Sequence, residues 1–164
     1  MSILKKIGLG GGCHWCTEAV FQALKGVEKV EQGYISSVNE AASFSEAVVV
    51  HYDPEIISLQ ELISVHIFTH RSTSNHSFRR KYRSAIYTSE ENEFPVCENI
   101  LQDLQKEFSE KINTQILPLK EFKPSRESLW DYYKKNPEKP FCKKYIHPKM
   151  RLLQKNFPKL KKED

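Results

Sequence analysis

Four of the five residues from Gly8 to Gly12 are glycine, and Cys13-His14-Trp15-Cys16 follows directly. Glycine loses more backbone freedom on folding than any other residue, so a run this dense interrupts regular structure. One element ends here and another begins. "LKKIGLG" reads as a strand stopped by glycine. "CTEAVFQALKG" reads as a helix, with Ala19, Val20, Phe21, Ala23 and Leu24 on one face and Gly26 at its C-cap.

The rest of the chain alternates in the same manner. "VEKVEQGYIS" and "EAVVVHYDP" are strands, the second closed by Asp53-Pro54. "SLQELISVHIFTH" opens on Ser58 with Glu61 three residues on, which predicts a capping box. A strand "YRSAIYTS", a long helix "ENEFPVCENILQDLQKEFSE", a last strand "NTQILPLKEF" and a short helix around "RESLWDYYKKN" complete the order βαββαβαβα. That order predicts an α+β fold, a mixed sheet with helices packed on it in a ferredoxin-like two-layer arrangement. With 164 residues, no repeat and no linker, residues 1–141 are expected to form one domain.

No apolar run approaches the ~18 residues of a membrane span, and "MSILKKIGLGGG" lacks the apolar core of a signal peptide. A cytoplasmic location is therefore expected. In a reducing compartment four cysteines are catalytic, metal-bound or buried before they are paired in a fixed framework. The net charge of +4 is unevenly spread: residues 142–164 carry eight Lys/Arg against two acids, leaving −2 on the remainder. This segment reads as a basic, partly disordered C-terminal tail. It offers neither the aromatic interleaving nor the recognisable module that nucleic-acid binding calls for.

Three chemistries compete for the glycine-rich turn. A dinucleotide fingerprint needs a third glycine where Cys13 stands, so a phosphate cradle fails. A structural zinc site could draw on Cys13, His14, Cys16, Cys142 and His147, but the second cluster is one Cys and one His in a segment that repels cations. A nucleophilic thiol uses the whole arrangement. Cys13 in the first turn of a helix would have its thiolate stabilised by unpaired amides and the helix dipole. Cys16, three residues on, lies within reach of a disulfide with it. A buried inert Cys13 is the competing bland reading, and it explains neither the glycines nor Trp15. Cys97 sits among apolar residues of the long helix and reads as a buried structural thiol. His70 ends a helix, where it would cap the last carbonyls, and "FRRKYR" reads as a solvated face.

These residues also carry a resemblance. "GGGCHWCTEAVFQALKGVEKVEQGY" is similar to the signature of the A-type peptide methionine sulfoxide reductases, a Gly-Cys-Phe-Trp-Gly-x-Glu turn followed by a helix and a strand. "SEAVVVHYDPEIISLQELISVHIFTH", "KYRSAIY", "ILPLKEFKPSRESLWDYYKKNPEKPFC" and "YIHPKM" resemble later blocks of the same family, in order. The resemblance implies that Cys13 attacks the sulfur of methionine (S)-sulfoxide, that Glu46 is the general acid, and that Tyr82 hydrogen-bonds the sulfoxide oxygen. It implies that Trp15, with His14 beside it, contacts the substrate, whose S-methyl group packs on the indole. The resulting sulfenic acid would condense with a second thiol. Cys142 matches the family's resolving cysteine, with thioredoxin as the final reductant, and Cys16 is a second candidate. The resemblance implies a monomer that needs no metal, flavin or nicotinamide cofactor.

The departures are as specific. His14 replaces the family's Phe and Cys16 its Gly. The stretch "ISSVNEAASFS" is about a dozen residues shorter than the family's loop, which normally brings a second active-site tyrosine. "RSTSNHSFRRK" is shortened too, and leaves Ser77 nearest to the position of the family's substrate aspartate. Arg79 and Arg80 would lie near the pocket mouth, where they favour an acidic peptide or an acidic face on the reductant. Leu129-Trp130 replace a His-Gln pair. A thiol–disulfide oxidoreductase using only Cys13 and Cys16, and a non-catalytic descendant that binds a partner, are the alternative functions.

Overall fold

The structure, a computed structural model, describes residues 3–70, 72 and 82–163. Among them, β1 (Lys5–Gly10), β2 (Val27–Ser36), β3 (Ser45–Tyr52), β4 (Ala85–Thr88), β5 (Gln115–Pro118) and β6 (Glu121–Pro124) form one sheet. The helices are α1 (His14–Gln22), α2 (Leu59–Thr69), α3 (Glu93–Gln105), α4 (Tyr132–Lys135) and α5 (His147–Asn156). The strand order is β5-β4-β1-β3-β2-β6. Its central four strands are antiparallel neighbours, with α1 and α2 as the crossovers. This is the arrangement expected from a βαββαβ order. β5 pairs in parallel with β4, which makes the sheet mixed.

β3 is buried along nearly its whole length because both its faces are covered. Val48 and Val50 point with Ile7 and Leu9 into the main core, against Phe21 of α1, Leu62 and Val65 of α2, and Ile100 of α3. Cys97 is fully buried there, as expected of a structural thiol. Ala47 and Val49 point the other way, into a smaller cluster with Ile35 and Tyr87. Ser58 and Glu61 form the expected capping box, with Glu61 N donating to Ser58 Oγ (3.0 Å) and Ser58 N to Glu61 Oε1 (3.0 Å). Helix α1 ends three residues before the expected cap, at Ala23, and Gly26 instead occupies the following turn at φ +89°.

The expected last strand is two strands on opposite edges. β5 lies beside β4 and β6 beside β2, and the chain passes between them in two residues. Leu119 N donates to Thr88 O (3.0 Å) and Lys120 N to Ser36 O (3.1 Å), so the sheet curls until its outer strands meet at one end. Leu117, Leu119 and Phe122 then cover the second cluster. Gly8 permits this closeness: a Cβ there would stand 2.8–3.3 Å from Ile35, Tyr87 and Leu119.

The segment read as a partly disordered tail is packed. Cys142–Ile146 form a π-helical turn that runs into α5. Cys142, Ile146 and Leu153 are fully buried. Burying Ile146 and Leu153 contributes ~1.5–3 kcal/mol each. That outweighs repulsion among solvent-facing lysines, which salt screens. The chain then returns to α1: Lys25 N donates to Leu160 O (2.8 Å) and Lys162 N to Ala23 O (2.7 Å). No described helix is long and apolar enough to cross a membrane.

Candidate active site

β1 delivers the chain to the glycine turn, and Cys13 stands at the N-cap of α1, one position before the first turn in which it was expected. The Cys13 backbone carbonyl starts the helix, accepting from Cys16 N (3.1 Å), Thr17 N (3.2 Å) and Thr17 Oγ1 (3.2 Å). Its thiol is half-buried, while Cys16 is buried on the inner face of α1. All four cysteines are free thiols.

The expected depression of the Cys13 pKa is corrected by its neighbour. Cys13 and Cys16 hydrogen-bond through their sulfurs, and that bond, followed by burial, raises Cys13. The Trp15 amide pulls the other way without compensating. The same bond lowers Cys16, with further help from the Lys149 ammonium. Within the reduced pair, the hydrogen bond thus favours the thiolate on Cys16 over Cys13, while burial and Glu46 push Cys16 the other way. Helix-dipole reasoning about one cysteine missed this because a second thiol in contact is the larger effect.

Cys142 belongs to the same cluster as Cys13 and Cys16, lined by Ala19, Ile146 and Tyr132. Charge on Cys16 adds to burial in raising the Cys142 thiol. Cys142 is thus packed into the fold and not carried on a free tail. Trp15 lies under the same segment: its indole stacks on Tyr132 (4.1 Å between centroids, 8° between planes) and meets Phe141 edge-on at 5.3 Å. The indole Nε1 is buried without a hydrogen-bond partner. Tyr132 and Phe141 were not singled out in the sequence, where only the aromatic richness of "WDYYKKNPEKPFC" hinted at them.

Glu46, on β3, is buried beside the turn, where its Oε1 accepts from His14 N (3.1 Å). His14 is buried, with Nδ1 2.8 Å from Gly33 O, Nε2 3.5 Å from Glu46 Oε1, and its ring edge-on to Tyr34 at 5.2 Å. The Glu46 charge reaches both thiols and raises both. Tyr82 is half-buried in the segment leading into β4. Ser77, Arg79 and Arg80 lie outside the described residues.

Two supports escaped the sequence reading. Arg83, read as part of a solvated face, is buried and donates to Ala41 O (3.2 Å), Ser43 O (2.7 Å) and Tyr87 Oη (3.2 Å). It ties the short loop before Glu46 to β4. Glu18, buried in α1, accepts from Asp131 N (3.0 Å), Tyr132 N (3.2 Å) and Gln32 Nε2 (3.1 Å), holding the backbone that carries Tyr132 onto Trp15. Burial pushes its carboxyl pKa up, and those donors offset part of the rise. The glutamate of the signature was its only trace in the sequence.

Behind the glycine turn, the His70 ring fills the space a Gly11 side chain would take. It caps α2 through His66 O, as expected, and reaches Ser84 Oγ (2.7 Å). His66 stacks on it at 4.1 Å, fully buried, with Nε2 unpartnered. Burial, then the charge of His70, hold its pKa well below the usual 6.5. The unfolded chain binds this proton and the folded one refuses it. The contribution of His66 to stability is therefore complete above about pH 6.5 and erodes by about 1.4 kcal/mol per unit below it. Urea midpoints should fall more steeply from pH 6.5 to 5 in the native chain than in His66→Phe, and parallel profiles would refute this assignment.

Among the described residues no three His, Cys, Asp or Glu side chains are grouped to hold a metal. The family model for peptide methionine sulfoxide reductase matches residues 5–161. The chain is 35% identical to the peptide methionine sulfoxide reductase MsrA of Campylobacter jejuni, over 92% of this chain and 99% of that one. It is 30% identical to the MsrA of Sulfolobus acidocaldarius, over 92% and 93%. Among solved structures it is similar to reduced Mxr1 from Saccharomyces cerevisiae, with TM-score 0.76 and 25% identity over 87% of this chain and 91% of that chain. The same yeast protein in complex with Trx2 matches with TM-score 0.63 and 25% identity, over 76% and 82%.

Proposed function

Because the chain belongs to the peptide methionine sulfoxide reductase family, we propose that it reduces the S epimer of methionine sulfoxide, in peptides or as the free amino acid. One observation carries the mechanism: the Cys13–Cys16 thiol pair lies beside buried Glu46 at the start of α1. Cys13 passes its proton along the hydrogen bond to the Cys16 thiolate as its sulfur attacks the sulfoxide sulfur. Glu46 protonates the oxygen, which transfers to Cys13 as a sulfenic acid while the sulfide leaves as methionine. Tyr82 hydrogen-bonds that oxygen, and Trp15 receives the methyl group.

Cys16, now a thiol one turn away, displaces water from the sulfenic acid to give Cys13–Cys16. Cys142, packed in the same cluster, then exchanges into that disulfide, and thioredoxin reduces the product. Short separation favours this order, since closing a small ring costs little chain entropy. After one equivalent of sulfoxide, rapid alkylation and mass spectrometry should find Cys13–Cys16 before any disulfide to Cys142. If Cys16→Ser forms Cys13–Cys142 at the native rate, and the native chain shows no Cys13–Cys16, Cys16 is a spectator.

Incubating the reduced protein with both epimers of a sulfoxide peptide tests the assignment as a whole. Turnover of the S epimer alone is expected. Disulfide reduction without sulfoxide turnover would indicate the thiol–disulfide oxidoreductase instead.

A further inference from the structure

His14 is the first residue of α1, and its ring is only 4% exposed. Nδ1 lies 2.8 Å from Gly33 O. A carbonyl oxygen can only accept, so Nδ1 carries a proton whether the ring is neutral or cationic. Nε2 is then the atom that titrates, and it faces Glu46 Oε1 at 3.5 Å. The same carboxylate oxygen accepts the His14 backbone N–H at 3.1 Å, which holds the two groups together at the helix start. Ionisable groups that face this ring include Glu46 from β3 and Tyr34 from β2, and the Glu46 charge in turn reaches the Cys13 and Cys16 thiols.

We infer that His14 and Glu46 share one proton and deliver it as a unit to the sulfoxide oxygen, with His14 extending the reaction toward alkaline pH. This rests on the reading of the chain as a sulfoxide reductase. The proton has two homes: a carboxylic acid beside a neutral imidazole, or a carboxylate beside an imidazolium. A lone carboxyl ordinarily loses its proton about two units below the point at which an imidazole does. The imidazolium keeps the proton within reach at pH values where a solitary acid would be empty, and returns it to Glu46 on demand. In the step itself the proton goes to the sulfoxide oxygen, and the sulfur–oxygen bond breaks as the Cys13 sulfur–oxygen bond forms. The sulfide is released, and the pair is left as carboxylate and neutral imidazole, to be reloaded from solvent. In this role His14 positions and supplies Glu46.

Single-turnover reduction of a sulfoxide peptide, followed from pH 5.5 to 9.5, separates this from a purely structural role. In His14→Phe the alkaline limb of the rate profile should move down by about one pH unit or more, with a loss of about tenfold or more at pH 8. Superimposable profiles for native protein and His14→Phe would overturn the proposal while leaving the reductase reading intact. Absence of turnover by the native protein would instead defeat that reading.

A second measurement needs neither activity nor the His14→Phe fold. Nitrogen-15 spectra of the reduced protein should show one histidine with Nδ1 protonated throughout and Nε2 titrating. Its midpoint should fall by about one unit in Glu46→Gln. An unmoved midpoint would also overturn the proposal.

Discussion

Cys13→Ser should reduce sulfoxide turnover to the uncatalysed background while leaving the urea midpoint of unfolding close to that of the native chain. The thiol is half-buried at the N-cap, and a serine hydroxyl of similar shape can accept from the same Trp15 amide, so the exchange disturbs little packing. Chemically the exchange is severe. Cys13 hydrogen-bonds Cys16, whose pKa that bond lowers. A serine hydroxyl is far too weak an acid to lose its proton in the same place, and its oxygen has no comparable affinity for sulfur. Methionine release from a sulfoxide peptide under single-turnover conditions is the measurement. Retention of more than about a tenth of the native rate would exclude Cys13 as the nucleophile.

Glu46→Gln should slow the same step by ~10²–10⁴-fold, the range of general acid catalysis. Glutamine keeps the size of the side chain, and its amide oxygen can still accept the His14 backbone N–H, so the helix start stays in place. What it lacks is a proton acidic enough to follow the departing oxygen. A loss below about threefold across the pH range would assign the proton to another group.

Much of the architecture was legible because its signals are local. The β2 span and the Ser58–Glu61 capping box follow from alternation and from one reciprocal pair of hydrogen bonds. What was not legible depends on partners distant in the chain. Nothing within residues 115–124 says that its halves pair with opposite edges, since that choice is made by Thr88 and Ser36. In the C-terminal segment the signal was present but outvoted. Ile146, Met150, Leu153 and Phe157 recur at helical spacing, yet the lysines between them suggested a solvated tail. Arg83 was misread for the same reason, its charge being taken as evidence of exposure when the carbonyls of Ala41 and Ser43 accept from its buried guanidinium.

At the site, the pairing of Cys13 with Glu46 came from resemblance. Residue spacing alone could not bring together positions from α1 and β3. The thiol pair shows the limit of reasoning about single residues. Two cysteines one turn apart titrate together; their own hydrogen bond is the main influence on Cys16, and Lys149, contributed from a segment more than a hundred residues on, adds to it.

The passage of the chain from one sheet edge to the other at Leu119 and Lys120 has a consequence for how this molecule comes apart. A segment that seals two edges cannot be peeled from one without loosening the other. Lifting it would expose Ile35, Ala47 and Val49 to water in the same event. Amide hydrogens of β5 and β6, on strands far apart in the sheet order, should therefore trade with deuterium at a common rate, as members of one opening unit. Seen this way the ten-residue seam is the latch of the sheet, and the glycine at position 8 is the recess that receives it.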